Sequence, residues 1–287
     1  MTSSEPPPPE PGEREIPTCY RHPKREAHVR CTRCEKHICP DCMREAAVGH
    51  QCVGCVAEGQ RSTRQARTMF GGKVTSAPAA TYALLVLMGL GFLAQSAAPN
   101  VALAFWMEGG PIVMGEWYRL VTSAFLHNGV THLALNGLAL FIFGRLLEEA
   151  LGHARYLALW VLSAIGGGVL SLLVLPLDQA SVGASGAVFG LIGALVVMGR
   201  RMRVDVRFVL ILLALNLLVS FVVPQISLTA HLGGLLSGLL LGAVYGYLPT
   251  GGGASPRTRT LVHAGATAAF AVLLVVLTGV GAAAVLN

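Results

Sequence analysis

Cysteine is absent from every position after Cys55, although seven cysteines occur up to that point. This excludes a disulfide framework across the chain, and thiols crowded into residues 19–55 point to metal instead. Charge is also scarce. Asp, Glu, Lys and Arg make up 13% of the residues against 53% apolar ones, too little to coat a soluble protein of 287 residues. Acidic side chains nearly vanish from residues 183–248, where Asp205 stands alone, so a Ser-His-Asp triad has no carboxylate to draw on there. Residues 98–117 contain no Lys or Arg. The first seventeen residues lack the apolar run of a signal peptide, which leaves the amino terminus expected in the cytoplasm. The net charge of +6 comes mostly from residues beside apolar segments, and membrane orientation explains it more simply than nucleic-acid binding.

What remains reads as an all-α polytopic membrane protein carrying a small cytoplasmic metal-binding module. Residues 1–17, with Pro6 to Pro9 and four glutamates, bury too little apolar surface to offset chain entropy and are expected to be disordered. The cysteines occupy 18–56, and a basic linker with Arg61, Arg64, Arg67 and Lys73 covers 57–78. Seven apolar stretches follow, near 79–97, 118–147, 154–176, 183–199, 206–223, 226–248 and 261–285. Most are long enough for a hydrocarbon core of roughly 30 Å at about 1.5 Å per residue. Six of them fall within 79–248, and 249–287 supplies a linker and the seventh. Arg200, Arg201, Arg203 and Arg207 crowd the junction of the fourth and fifth, marking the cytoplasmic side, while the loop without basic residues lies outside. The expected product is a multi-pass cell-membrane protein with its carboxyl terminus outside.

Four polar residues inside these stretches carry the chemistry. Ser185 lies fifteen residues before Arg200, roughly 22 Å from the cytoplasmic face, and His231 sits five residues into a stretch running inward from outside, at a similar depth. His132 and Asn136 are one helical turn apart and share a face. A serine hydroxyl is a weak nucleophile until a base takes its proton, which a neutral imidazole does well near pH 7. Acyl transfer also needs donors aimed at the developing oxyanion, which the Asn136 amide, the His132 ring N–H and the Ser185 backbone N–H offer. Gly183 and Gly186 leave room for a substrate backbone. The plainer reading of Gly186, Gly190, Gly234, Gly238 and Gly242 is close helix packing, and that packing is also what brings Ser185 to His231. With no carboxylate at hand, His231 is expected to be oriented by packing and backbone groups. His127, beside Asn128 and Gly129, stays unassigned.

Gly115-Glu116-Trp117-Tyr118-Arg119, Phe125-Leu126-His127, His132 with Asn136, Gly183-Ala184-Ser185-Gly186, and Ala230-His231 with Gly234 and Gly238 occur in that order. Over residues 79–248 this set resembles the rhomboid family of intramembrane serine proteases. The resemblance implies a six-helix core, here in a six-plus-one arrangement, and a Ser-His dyad that hydrolyses transmembrane protein substrates near the outer membrane face. It implies Ser185 as nucleophile, His231 as general base and acid, and His132 and Asn136 as oxyanion donors. Gly183 matches the glycine that opens the serine motif. Trp117 and Arg119 match a motif that structures the first external loop at the lipid surface. Phe189 stands where some members carry a tyrosine packed on the histidine, and it lacks the hydroxyl. By the same analogy the fifth stretch and the turn from Pro224 to Ser227 form a gate and cap. The competing reading is a catalytically inactive relative that binds transmembrane clients and recruits a cytoplasmic partner. Such relatives usually lack the serine or the histidine, and both are present here.

The amino-terminal cluster runs Cys19-x2-His22-x8-Cys31-x2-Cys34-x4-Cys39-x2-Cys42-x9-Cys52-x2-Cys55. Eight donors in four pairs close two tetrahedral zinc sites, structural ones with no open position, and catalysis itself needs no cofactor. Interleaved pairing joins Cys19 and His22 with Cys39 and Cys42, and Cys31 and Cys34 with Cys52 and Cys55. The spacing does not exclude sequential pairing, and His50 is a competing donor. The stretch resembles a B-box-like zinc finger. Its basic residues have no aromatic platform beside them, which favours a cytoplasmic protein partner over nucleic acid.

Overall fold

The computed structural model describes residues 16–62, 66–223, 226–249 and 254–286. The expected disordered tail up to residue 15, residues 63–65 of the linker, Pro224 and Gln225 of the expected cap, and residues 250–253 lie outside the described residues. The chain divides into two compact units, residues 1–65 and 66–287.

In the first unit, β1 (Val29–Arg30) pairs antiparallel with β2 (His37–Ile38), and β3 (Met43–Glu45) with β4 (His50–Cys52). A 3-10 turn over Pro40–Cys42 joins β2 to β3, and α1 (Val53–Ser62) follows β4 directly. The buried side chains are Cys19, Ala27, Cys31, Ile38, Cys39, Cys42, Cys52 and Cys55. A core in which six of eight members are thiols supplies little hydrophobic free energy, and strands of two and three residues add few ladder bonds. Units of this size are ordinarily held by metal or disulfides.

The second unit is helical. It runs through α2 (Ala79–Ala97), α3 (Pro99–Phe105), α4 (Gly109–Val113), α5 (Arg119–Thr122), α6 (Val130–Ala139), α7 (Arg145–Leu151), α8 (His153–Val174), α9 (Ser185–Met202), α10 (Val206–Val222), α11 (Leu228–Tyr247) and α12 (Pro256–Leu286). A π-helical turn over Leu140–Gly144 fuses α6 and α7 into one helix, Val130–Leu151. All seven apolar stretches are helical. Six of these helices are long and apolar enough to cross a membrane, whereas α10, at 17 residues, is shorter. The second stretch starts later than expected. Residues 118–129 form α5, a 3-10 turn and a bend, because Gly129 with φ +87° breaks the chain before α6.

Helix α9 is the axis of the bundle, with two thirds of its length buried against 17% for α2 and 22% for α12. It packs most extensively on α11 and α8, and glycine makes that possible. A Cβ on Gly234 would stand 1.9 Å from the Gly186 carbonyl oxygen, and one on Gly238 1.9 Å from that of Gly190. The two backbones therefore touch, as small residues permit in membrane helices. Trp160 and Tyr156 of α8 and Leu191 and Leu195 of α9 fill the surrounding core.

At the end of the bundle away from Ser185, the wholly buried Glu148 binds the start of α2. It accepts from the backbone N–H of Ala80 (2.9 Å) and Thr81 (2.8 Å) and from the Thr81 hydroxyl (2.6 Å), and it also meets the His153 ring. It thus satisfies helix N–H groups that have no partner within the helix. Replacing Glu148 by Ala is expected to cost roughly 2–4 kcal/mol by orphaning those donors. Thermal unfolding in detergent reads this as a lowered midpoint, with Glu148→Gln in between.

Candidate functional site

Ser185 is the first residue of α9 and is half-buried. Its own N–H and those of Gly186 and Ala187 point away from the helix without intrahelical partners, which makes this end favourable for negative charge. The approach to it is stitched down. Met107 and Ser181 exchange two backbone hydrogen bonds (3.0 and 2.8 Å), Gly110 N–H donates to the Leu177 carbonyl (3.0 Å), and Gly183 N–H donates to that of Ser123 (3.0 Å).

Gly183 has φ +125°, and a Cβ there would stand 2.7 Å from Cε1 and 2.9 Å from Nε2 of His132. Absence of a side chain therefore lets the His132 ring close directly on the Ser185 loop. The Asn128 N–H donates to His132 Nδ1 at 3.2 Å, so the ring's own proton resides on Nε2, the nitrogen facing Gly183. Asn136, buried one turn along α6, spends one amide hydrogen on the His132 carbonyl at 3.0 Å and keeps the other.

His231, on the first turn of α11, is 5% exposed. Its ring stacks on Phe189 with centroids 4.0 Å apart and planes 12° from parallel. Phe189 lies one turn after Ser185 on the same face of α9. His231 Nδ1 lies 2.7 Å from the hydroxyl of Ser220 on α10, a contact the expectation of packing and backbone groups alone did not include. A serine in a membrane helix ordinarily bonds back to its own helix, so nothing in the sequence marked it.

A cavity of about 630 Å³ opens at this end of the bundle, and Ser185, Gly183, His132 and His127 all line it. His127, unassigned from sequence, is fully buried, with neither ring nitrogen hydrogen-bonded among the described residues, and its ring meets that of His132 edge-on at 5.2 Å. Gln95 of α2 holds its peptide, donating to the His127 carbonyl (2.7 Å) and accepting from its N–H (2.9 Å). Sequence reading passed over Gln95, whose only signal is a polar side chain in an apolar helix.

Arg119 is 6% exposed and donates to Glu116 (2.6 Å) and to the carbonyls of Leu103 (2.8 Å) and Trp106 (3.1 Å), tying α3 to α5. Hydrogen bonds from Tyr118 and Arg119 hold the Glu116 carboxyl below its ordinary range. Trp117 is exposed, and its side chain makes no hydrogen bond among the described residues.

In the first unit the donors gather in two interleaved groups, Cys19, His22, Cys39 and Cys42, and Cys31, Cys34, Cys52 and Cys55. Within each group the donor atoms lie within 4.8 Å of one another. His50 belongs to neither. His22 Nδ1 stands 3.8, 3.3 and 3.5 Å from the sulfurs of Cys19, Cys39 and Cys42, and the sulfurs of Cys34 and Cys52 are 3.8 Å apart. A tetrahedral ion with bonds of about 2.3 Å to sulfur and about 2.0 Å to nitrogen has edges of roughly 3.5–3.8 Å, so the spacing fits a metal. Backbone N–H groups of Cys52 and Cys55 donate to the sulfurs of Cys31 and Cys52, both at 3.2 Å. Burial of the Cys31 sulfur raises its pKa, but the backbone hydrogen bonds at Cys52, Arg33 and Cys34 outweigh it and bring the thiol down to about 6.

Residues 114–248 match the rhomboid domain. The Bacillus subtilis (strain 168) protein named "Putative rhomboid protease YdcA" is 41% identical over 135 residues, 45% of this chain and 68% of that protein. The chain belongs to the rhomboid family. "Rhomboid protease GluP" of the same organism is 34% identical over 216 residues, 71% of this chain and 41% of that protein. "RHOMBOID-like protein 5" of Arabidopsis thaliana is 36% identical over 151 residues, 50% of this chain and 48% of that protein. The match therefore spans about half or less of the length of these two rhomboid relatives.

Gly183→Ala is expected to push the His132 ring off the Ser185 loop. The rate of labelling by a fluorophosphonate should fall roughly tenfold or more, and because an L side chain is strained at φ +125° the unfolding midpoint should fall as well, by the equivalent of about 1 kcal/mol.

Proposed function

We propose that this chain is an intramembrane serine endopeptidase that hydrolyses peptide bonds of transmembrane proteins near the outer membrane face, using Ser185 and His231. The observation that carries the reading is the stack of His231 on Phe189, since Ser185 and Phe189 share one face of α9 and the imidazole lies against that face. In this reading His231 Nε2 removes the Ser185 Oγ proton as Oγ attacks the scissile carbonyl. The tetrahedral oxyanion forms beside the backbone N–H of Ser185, the Nε2–H of His132 and the free amide hydrogen of Asn136. His231 then gives the proton to the departing amine, breaking the C–N bond and leaving an acyl-serine. Water, deprotonated by the same imidazole, releases the second product and restores Oγ–H. The arginines at the far end of α9 orient that end toward the cytoplasm, so that the cavity opens outward and the carboxyl terminus lies outside. Helix α10 crosses as the fifth span and α12 as the seventh.

The two donor groups of the first unit hold structural zinc. Their thiolates suit a reducing cytoplasm, and closed four-donor sets leave no position for catalysis. Because the unit's core consists largely of these cysteines, metal and fold stand together, and the folded module serves to bind a cytoplasmic protein partner.

Purified in detergent, the wild type is expected to be labelled covalently by a fluorophosphonate, and Ser185→Ala and His231→Ala are not. Folded but unlabelled wild type would sink the protease reading in favour of an inactive client-binding relative. Elemental analysis of the full chain should find about two zinc ions per molecule and about one in Cys31→Ser. A zinc content near zero in protein purified without chelator would remove the zinc assignment.

A further inference from the structure

His231 acts as a base only if Nε2 carries a lone pair, and an imidazole with no carboxylate beside it has two neutral tautomers of similar energy. The neighbourhood of Nδ1 selects between them. Ser220 lies on α10, 5% exposed, with its Oγ 2.6 Å from the Asn216 carbonyl one turn back and 2.7 Å from His231 Nδ1. The hydroxyl has one proton. A carbonyl oxygen can only accept, so that proton goes to Asn216. The contact with His231 is then a hydrogen bond only if Nδ1–H donates to Ser220. The chain of donation runs from Nδ1–H to the Ser220 hydroxyl to the Asn216 carbonyl, and it leaves Nε2 bare. Each bond polarises the next, so the carbonyl acts on the imidazole through the hydroxyl.

We propose that Ser220 is a positioning residue for catalysis, holding His231 in the tautomer and orientation that activate Ser185. This rests on the dyad proposed above and adds to it a third polar member contributed by a different helix. When His231 becomes imidazolium, Nδ1–H continues to donate to Ser220, so the relay holds through proton transfer and no proton need pass to Ser220. The same bond fastens α10. Among the residues of that helix only Val209 and Ser220 are buried, while Phe208, Leu210, Ile211, Leu215, Leu218, Phe221 and Val222 are exposed. Val209 secures the end near the arginines, and Ser220 is the buried attachment at the Ser185 end. The competence of the base is therefore tied to the seat of α10.

The test is the kinetics of inactivation by a fluorophosphonate, resolved into a saturation constant KI and a rate kinact, with unfolding midpoints measured in parallel. Ser220→Ala is expected to lower kinact roughly tenfold to a hundredfold and to leave KI within about twofold, since the probe still enters but meets a poorly oriented base. Ser220→Thr, which keeps the hydroxyl, should recover most of the lost rate. Ser220→Val, matching threonine in shape without the oxygen, should not. If the alanine variant does not fold, the threonine and valine pair carries the comparison by itself. Alanine and valine variants reacting at the wild-type kinact, or threonine as slow as valine, would overturn the role of Ser220. Wild-type labelling that disappears in His231→Ala keeps the dyad standing in that event. A folded wild type that does not react takes both readings down together.

Discussion

Direct contact between the backbones of α9 and α11 is the constraint on which the rest of the unit depends. Gly234 and Gly238 of α11 lie so close to the backbone of Gly186 and Gly190 of α9 that neither could carry a Cβ. Water is not there to drive helices together in lipid, so van der Waals contact and lipid release must suffice, and both grow as backbones close in. The contact also sets the height and rotation of each helix. Ser185 stands one residue before Gly186, and His231 three before Gly234, so the register that seats the glycines also seats the serine and the histidine. A shift by one residue would lose both at once.

Around that axis, polar groups are buried in partnered sets at the two ends of the bundle. Toward one end, Glu148 gathers the N–H groups that open α2. Toward the other, Gln95 brackets the His127 peptide, Asn128 fixes the His132 ring, and Ser220 meets His231. Each pair satisfies a group that hydrocarbon would otherwise leave at a cost of several kcal/mol. The ring nitrogens of His127, a residue that lines the same cavity as Ser185, depart from this pattern, as do the Tyr156 hydroxyl, the Trp160 indole N–H and the Ser163 hydroxyl among the described residues. The amino-terminal unit solves the opposite problem. It has too little apolar side chain to bury, so its cysteines are both its core and its donors, and the 3.3–3.8 Å edges of its donor groups leave room for a metal ion and for little else.

Much of this was legible in the chain because it depends on local spacing. Apolar runs of membrane length, pairs of cysteines two residues apart, arginines after a serine-bearing helix, and the turn that joins His132 to Asn136 are all properties of neighbours along the sequence. The start of the second span was misjudged because residues 118–129 are apolar enough to continue a helix, and Gly129 decides otherwise through its positive φ. Ser220 and Gln95 were passed over because a lone serine or glutamine in an apolar helix gives the same signal whether it bonds to its own turn or to a partner elsewhere in the chain.

The sequence by itself determined which segments are apolar enough to cross a membrane, which residues carry nucleophilic or titratable groups, and that eight donors stand ready for metal, since hydropathy, side-chain chemistry and short spacings need no fold to express them. Only the tertiary structure decided the interleaved grouping of those donors, the closure of His132 on Gly183, and the contact of Ser220 with His231. These are relations between atoms distant along the chain, settled by how closely helices approach and by which hydroxyl or ring nitrogen has a proton left to give.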